Sequence, residues 1–137
     1  MPLNRKLQGI MDGRLVRAMD DGEDFGFIPV TLKVLTAAGA TNTVALTMER
    51  KFTLIDVNAR NFGGDGTSSD ALTIKNGSSA ITDAIAMTGA DNIIARAGSI
   101  DDAQHEIAAG GTLNVVASNG SGGLQTMIVY LTGYYHL

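Results

Sequence analysis

From Phe27 onward the chain alternates apolar and polar residues with a period of two, and this restricts it to strands that bury one face in a core. Ile28, Val30, Leu32 and Val34 share one face, with Thr31 and Lys33 on the other. Pro29 lacks a backbone donor and so belongs near a strand start or on a sheet edge. After a turn at Gly39 the pattern returns in Val44, Leu46 and Met48, and again in Leu113, Val115 and Ala117. The last run, from Gln125 to Tyr134, sets Met127, Val129 and Leu131 against Thr126, Ile128, Tyr130 and Thr132. Its second face is also rich in apolar groups, which predicts that another element or another subunit covers it.

Between these runs the pattern is less regular. Phe52 and Leu54 open a third strand that Ile55 and Val57 continue on the opposite phase, as at a bulge or in a strand buried on both faces. Leu72 and Ile74 lead into Asn76-Gly77, a strong tight-turn signal because both residues tolerate positive φ. Ile81, Ile85 and Met87 form one further β-like run closed by Gly89. Ile93-Ile94-Ala95 fits either a strand or a helical turn, and His105 and Ile107 fit a brief strand before Gly110-Gly111. Gly/Ser/Asp-rich loops lie at residues 61–70 and 118–123. The sum is about eight short strands with turn signals roughly every 8–12 residues, the mark of an all-β antiparallel β-sandwich or barrel. A jelly-roll-like sandwich is expected over an immunoglobulin-like one, occupying residues 27–137 as one domain.

Residues 1–26 read as an N-terminal extended arm. Arg5, Lys6, Arg14 and Arg17 make its first part basic, and Asp20, Asp21, Glu23 and Asp24 make its second part acidic. Leu3, Leu7, Ile10, Met11 and Leu15 trace a helical stripe that Gly9 and Gly13 weaken, so at most a short helix is expected. The arm is either a frayed terminus or a segment that orders on a partner.

Composition removes several classes of function. A net charge of -4 disfavours nucleic acid as a partner. No apolar stretch reaches the roughly 20 residues of a membrane helix, and Gly9, Asp12, Gly13 and Arg14 interrupt where a signal peptide would be apolar. A soluble chain with no membrane partner is expected. The absence of cysteine excludes disulfides, thiolate catalysis and thiolate metal sites, and fits synthesis in a reducing cytoplasm.

No catalytic constellation is complete. The loop Gly63-Gly64-Asp65-Gly66-Thr67-Ser68-Ser69-Asp70 lacks the Gly-Lys-Ser/Thr ending of a phosphate cradle. Asn61, Asp65 and Asp70 do not match the ligand spacing of a calcium loop, so a flexible surface turn is the better reading. Asp102, His105 and Glu106 would be the ligands or proton carriers of a metal-assisted hydrolase, but lone histidines beside carboxylates are more often ordinary hydrogen-bonded groups. No Gly-x-Ser-x-Gly elbow is present. No enzymatic activity, cofactor or metal is therefore expected. Sugar binding would need exposed aromatics; Trp is absent, and Tyr130, Tyr134 and Tyr135 cluster near the C-terminus, where core packing or a subunit interface explains them.

The stretches Ile81-Thr82-Asp83-Ala84-Ile85 and Ile100-Asp101-Asp102-Ala103-Gln104-His105-Glu106-Ile107-Ala108-Ala109-Gly110-Gly111-Thr112-Leu113 resemble segments of small proteins encoded near the major capsid protein gene of tailed bacteriophages. The resemblance is one of pattern over residues 61–137 and omits the arm. It implies a capsid decoration, or cement, protein: a homotrimer that clamps subunits of the phage major capsid protein on the virion surface, without enzymatic activity or cofactor. Arg5, Lys6, Arg14 and Arg17 would then rest on an acidic capsid surface, and Tyr130, Tyr134 and Tyr135 would meet partner subunits. The alternative is a receptor- or glycan-binding module of a phage head or tail fibre.

Overall fold

The computed structural model of the chain describes residues 27–39, 41–66, 69–118 and 125–137. The arm expected at residues 1–26 and most of the loop expected at 118–123 lie outside these. Ten strands occur among the described residues. In chain order they are β1 (Phe27–Ala38), β2 (Thr41–Thr47), β3 (Phe52–Phe62), β4 (Ala71–Asn76), β5 (Ser79–Ala80), β6 (Ile85–Ala86), β7 (Ile94–Arg96), β8 (Glu106–Ile107), β9 (Thr112–Ser118) and β10 (Gln125–His136). No helix of the described residues is long and apolar enough to cross a membrane.

The pairing is nested. β1 pairs with β10 and β2 with β9, while β3 takes β7 and β8, and β4 takes β5 and β6. Two further pairings, β10 with β3 and β9 with β4, join these pairs into two five-stranded antiparallel sheets. A long hairpin wound on itself gives this order, and the double-sheet arrangement is the jelly roll. The expectation of an all-β antiparallel sandwich with jelly-roll character thus holds for the described residues.

The core lies between the sheets. β9 alternates buried and half-buried residues along its whole length, with Leu113, Val115 and Ala117 turned inward. Leu72 and Ile74 of β4 and Met127, Val129 and Leu131 of β10 belong to the same hydrophobic cluster, all fully buried. Each such side chain contributes about 2 kcal/mol of transfer free energy.

The phase switch in the third strand is a bulge. Leu54 pairs with Gly133 and Asp56 with Thr132, so Ile55 has no opposite number and is exposed. Leu54 and Val57 both reach the core as a result. Gly77, at φ +58°, opens the two-residue turn between β4 and β5, a place where glycine avoids the Cβ clash. The run expected through Ile81, Ile85 and Met87 is instead broken into β6 and an isolated bridge between Thr82 and Ile100. Ile93-Ile94-Ala95 resolves as the start of strand β7 from Ile94.

The two flanks of the sandwich differ. On one, β6 packs against β7, and the Asp101 N–H donates to the Ile81 carbonyl (2.7 Å) in the loops beside them. On the other, β1 and β2 are both sheet edges, and Val30, Leu32, Val44 and Leu46 are only half-buried.

Candidate interaction surface

The outer face of the β1-β10-β3 sheet is built by the alternation that fills the core. Every second residue of these strands points away from it, and the register sets those residues in rows. Leu35, Ile128, Arg60 and Ile94 form one row across β1, β10, β3 and β7. Lys33, Tyr130, Asn58 and Arg96 form the next, and Thr31, Thr132 and Asp56 the third.

Three of the four residues of the first row are apolar, on a face that no described element covers. Leu35 is 61% exposed and Ile94 62%, with Phe62 at 53% one step along β3. Ile128 is only 4% exposed although the register places it on the outer face. Beside it, Tyr130 borders a shallow depression lined by Thr31, Asn58, Arg60, Asn92, Ile94 and Thr132. The Arg60 guanidinium donates to Asn92 Oδ1, which holds its long side chain across the rim. The Thr31 and Thr132 hydroxyls lie 3.3 Å apart.

The three tyrosines separate. Tyr130 is on the outer face. Tyr134 also points outward, its ring 5.2 Å from that of His136. Tyr135 turns inward: its ring packs 5.2 Å from Phe52, and its hydroxyl donates to Met48 Sδ at 3.9 Å. Arg5, Lys6, Arg14 and Arg17 lie outside the described residues.

Asp102, His105 and Glu106 do not converge. His105 Nδ1 is 3.6 Å from Asp102 Oδ1, while Glu106 is bound at 2.7 Å to Lys51 Nζ. Among the described residues no three His, Cys, Asp or Glu side chains group as metal ligands would. Asp101 instead caps a turn, accepting from Ala103 N–H at 2.8 Å. The hydrogen bond from Lys51 holds the Glu106 carboxyl below the usual glutamate range, despite opposing desolvation. The pairing therefore favours the folded state above the unfolded-state pKa, and this is lost as pH falls through the lowered value. Both groups are near half-exposed, so the effect is small. Lys51→Met should remove it: acid titration of stability should show a shallower fall for the variant than for the wild type, and identical curves would contradict the pairing.

The loop at residues 61–70 proves to be latched. β3 runs on through Phe62, so Asn61 is a buried strand residue. Its Nδ2 donates to the carbonyls of Met87 (2.9 Å) and Gly89 (3.0 Å). Asp65 Oδ1 accepts from Asp91 N–H (2.8 Å), and Asp91 Oδ1 accepts from Gly63 N–H (3.0 Å). Residues 63–66 are thus pinned to residues 87–91 rather than free, a reciprocal lock between loops far apart in sequence. Asp70 is buried near the end of the same loop.

Leu35, Phe62, Arg60 and Ile94 were not evident as surface-forming residues from periodicity. The available signal is Leu35 itself, an apolar residue on the polar phase of β1 beside Val34.

No protein-family model matches the chain, and no protein of curated function matches it. Among solved structures, it is similar to a chain of the cyanophage Pam1 capsid asymmetric unit, at 17% identity over 83% of this chain and 89% of that one, with a TM-score of 0.49.

Proposed function

We propose that the chain is a structural virion protein that attaches to a phage head as a decoration or cement protein, acting as a homotrimer against the major capsid protein. The observation that carries this reading is the outer sheet face, where Leu35, Ile94 and Phe62 are exposed on the side that Tyr130 occupies. An exposed apolar group of this kind, rimmed by Lys33, Arg60 and Arg96, has the make-up of a protein-contacting surface. The sequence resemblance supplies the class of partner. Arg5, Lys6, Arg14 and Arg17 add a second contact to the capsid in this reading, and three linked subunits multiply weak contacts. The protein performs no enzymatic chemistry.

The test is co-sedimentation of the full chain with expanded heads of its phage, alongside light scattering. Trimer mass and saturable binding are expected. The double variant Leu35→Glu, Ile94→Glu should bind on the order of 100-fold more weakly, since two apolar side chains lose their burial. A stable monomer that ignores capsids would overturn the proposal.

The second reading, a receptor- or glycan-binding module of a head or tail fibre, is favoured by one observation. Tyr130 stands beside the polar groups of Thr31, Asn58, Arg60 and Thr132, a mixture that sugars also contact. Reproducible glycan-array binding abolished by Tyr130→Ala would establish it.

A further inference from the structure

Charge is unevenly placed on this molecule. Over the described residues Asp and Glu outnumber Lys and Arg, yet Lys33, Arg60 and Arg96 stand together on the outer face of the β1-β10-β3-β7 sheet. Asp56 on the same face is taken by Arg96, 3.9 Å away, and at the far end of the sheet Lys51 and Glu106 pair with each other. The face is a basic patch on an acidic body.

Arg60 has no such partner. Among the described residues no carboxylate is ion-paired with it, and none lines the depression beside Tyr130. Its side chain is nevertheless held in place. Arg60 Nη1 donates to Asn92 Oδ1. Asn92 has φ +65°, a left-handed conformation that asparagine tolerates. Its N–H donates to the carbonyl of Asn61 (3.1 Å), whose buried side chain ties down Met87 and Gly89. The latch between the two loops thus also fixes the turn that carries Asn92, and through it the guanidinium. Using Nη1 in this way leaves the Nε–Nη2 edge of the fork for a ligand. Asn58 and the hydroxyls of Thr31, Thr132 and Tyr130 add donors around it. Leu35 and Ile94 are exposed in the same row as Arg60.

We propose that this depression seats a carboxylate of a partner protein: an Asp or Glu side chain binds Arg60, while apolar groups of the partner cover Leu35, Ile94 and Phe62. A carboxylate matches the planar fork with two parallel hydrogen bonds. Nucleic acid fits less well, because a phosphate backbone is tracked by rows of cations, and here the cations are interspersed with exposed apolar side chains. That the partner is a capsid subunit rests on the reading above; the site itself does not.

Acetate is the probe that carries the carboxylate alone. In an NMR titration of the isotope-labelled full chain, saturable shifts are expected at Arg60 Nε–H and Asn58 Nδ2–H, beyond those from sodium chloride at equal ionic strength. They should vanish in Asn92→Asp, which keeps the size and backbone tolerance of Asn92 but pairs Arg60 with a carboxylate of the chain's own. Absence of localised shifts, a stronger response to inorganic phosphate or to a neutral sugar, or an undiminished response in Asn92→Asp would overturn the proposal. The wild-type titration needs no variant to fold. The second arm is co-sedimentation with expanded heads. Arg60→Gln and Asn92→Asp should each bind on the order of tenfold more weakly than the wild type, and Arg60→Lys should recover only part of the loss, since an ammonium lacks the fork. Wild-type affinity in Arg60→Gln or Arg60→Lys would also overturn the proposal. A wild type that responds to acetate but ignores heads supports the site and overturns the capsid reading instead.

Discussion

Replacing Gly133 by alanine is expected to destabilise the fold by about 3 kcal/mol, at the upper end of the range for overpacking. A Cβ there would lie 2.1 Å from the Thr53 carbonyl oxygen and 2.6 Å from Phe52 Cζ. Neither neighbour yields easily. The carbonyl belongs to the ladder between β3 and β10, and the ring is fully buried. Gly133 pairs with Leu54 beside the bulge, where the added twist brings the two backbones close. Gly64→Ala is the matched control, because its Cβ would meet only Gln125 Oε1 at an ordinary 3.6 Å. Urea denaturation should show a large drop in midpoint for Gly133→Ala and little change for Gly64→Ala. Equal midpoints for Gly133→Ala and the wild type would mean that the close approach at the bulge is absent in solution.

Phe52→Ala should cost about 3–5 kcal/mol, the transfer term plus the cavity left behind. Phe52 is 0% exposed, and it pairs with Tyr135 on one side and Ile107 on the other. Its ring therefore fastens β10, β3 and β8 together at the end of the sandwich where the bulge lies. Against a net stability of about 5–15 kcal/mol for a domain, that loss would bring the protein close to unfolding at moderate temperature. Phe52→Leu should recover more than half of it by refilling most of the volume. A loss below about 1 kcal/mol for Phe52→Ala would contradict the packing, since it is far under the range for a fully buried aromatic. Thermal and urea unfolding of the two variants side by side distinguish these outcomes.

The two effects are linked. Phe52 and Gly133 touch, so their double variant should not be additive. Removing the ring vacates part of the space that the new methyl would invade, although the Thr53 carbonyl stays in its way.

Much of the strand content was legible because the pleat imposes a period of two directly on the residues. Leu113, Val115 and Ala117 alternate in sequence as they do in burial. The phase change between Leu54 and Ile55 marks the bulge, because an extra residue is what shifts phase. The excess of apolar residues on the second face of the last strand was also legible, in Ile128 and Tyr130. What was not legible is which residues join them. Leu35 comes beside Ile128 through a pairing between strands near opposite ends of the chain, and Arg60 and Ile94 follow from β3 and β7. Periodicity carries no information about such partners.

The loop at residues 61–70 shows the same limit. Its glycines and aspartates read as a surface turn, yet Asp65 and Asp91 lock it to a second loop by reciprocal hydrogen bonds. The tyrosines show it on a finer scale. Tyr134 and Tyr135 are adjacent and must face opposite ways, but only the position of the bulge decides that Tyr135 is the one that meets Phe52.

By itself, then, the sequence determined that the chain forms antiparallel strands with a buried and an open face, because local alternation and turn chemistry act over a few residues. The tertiary structure decided the nested jelly-roll order, the latch between distant loops, and the composition of the outer face around Tyr130. Each of these depends on contacts between segments far apart in the chain, which are selected by the packing of the whole sandwich rather than by any local pattern.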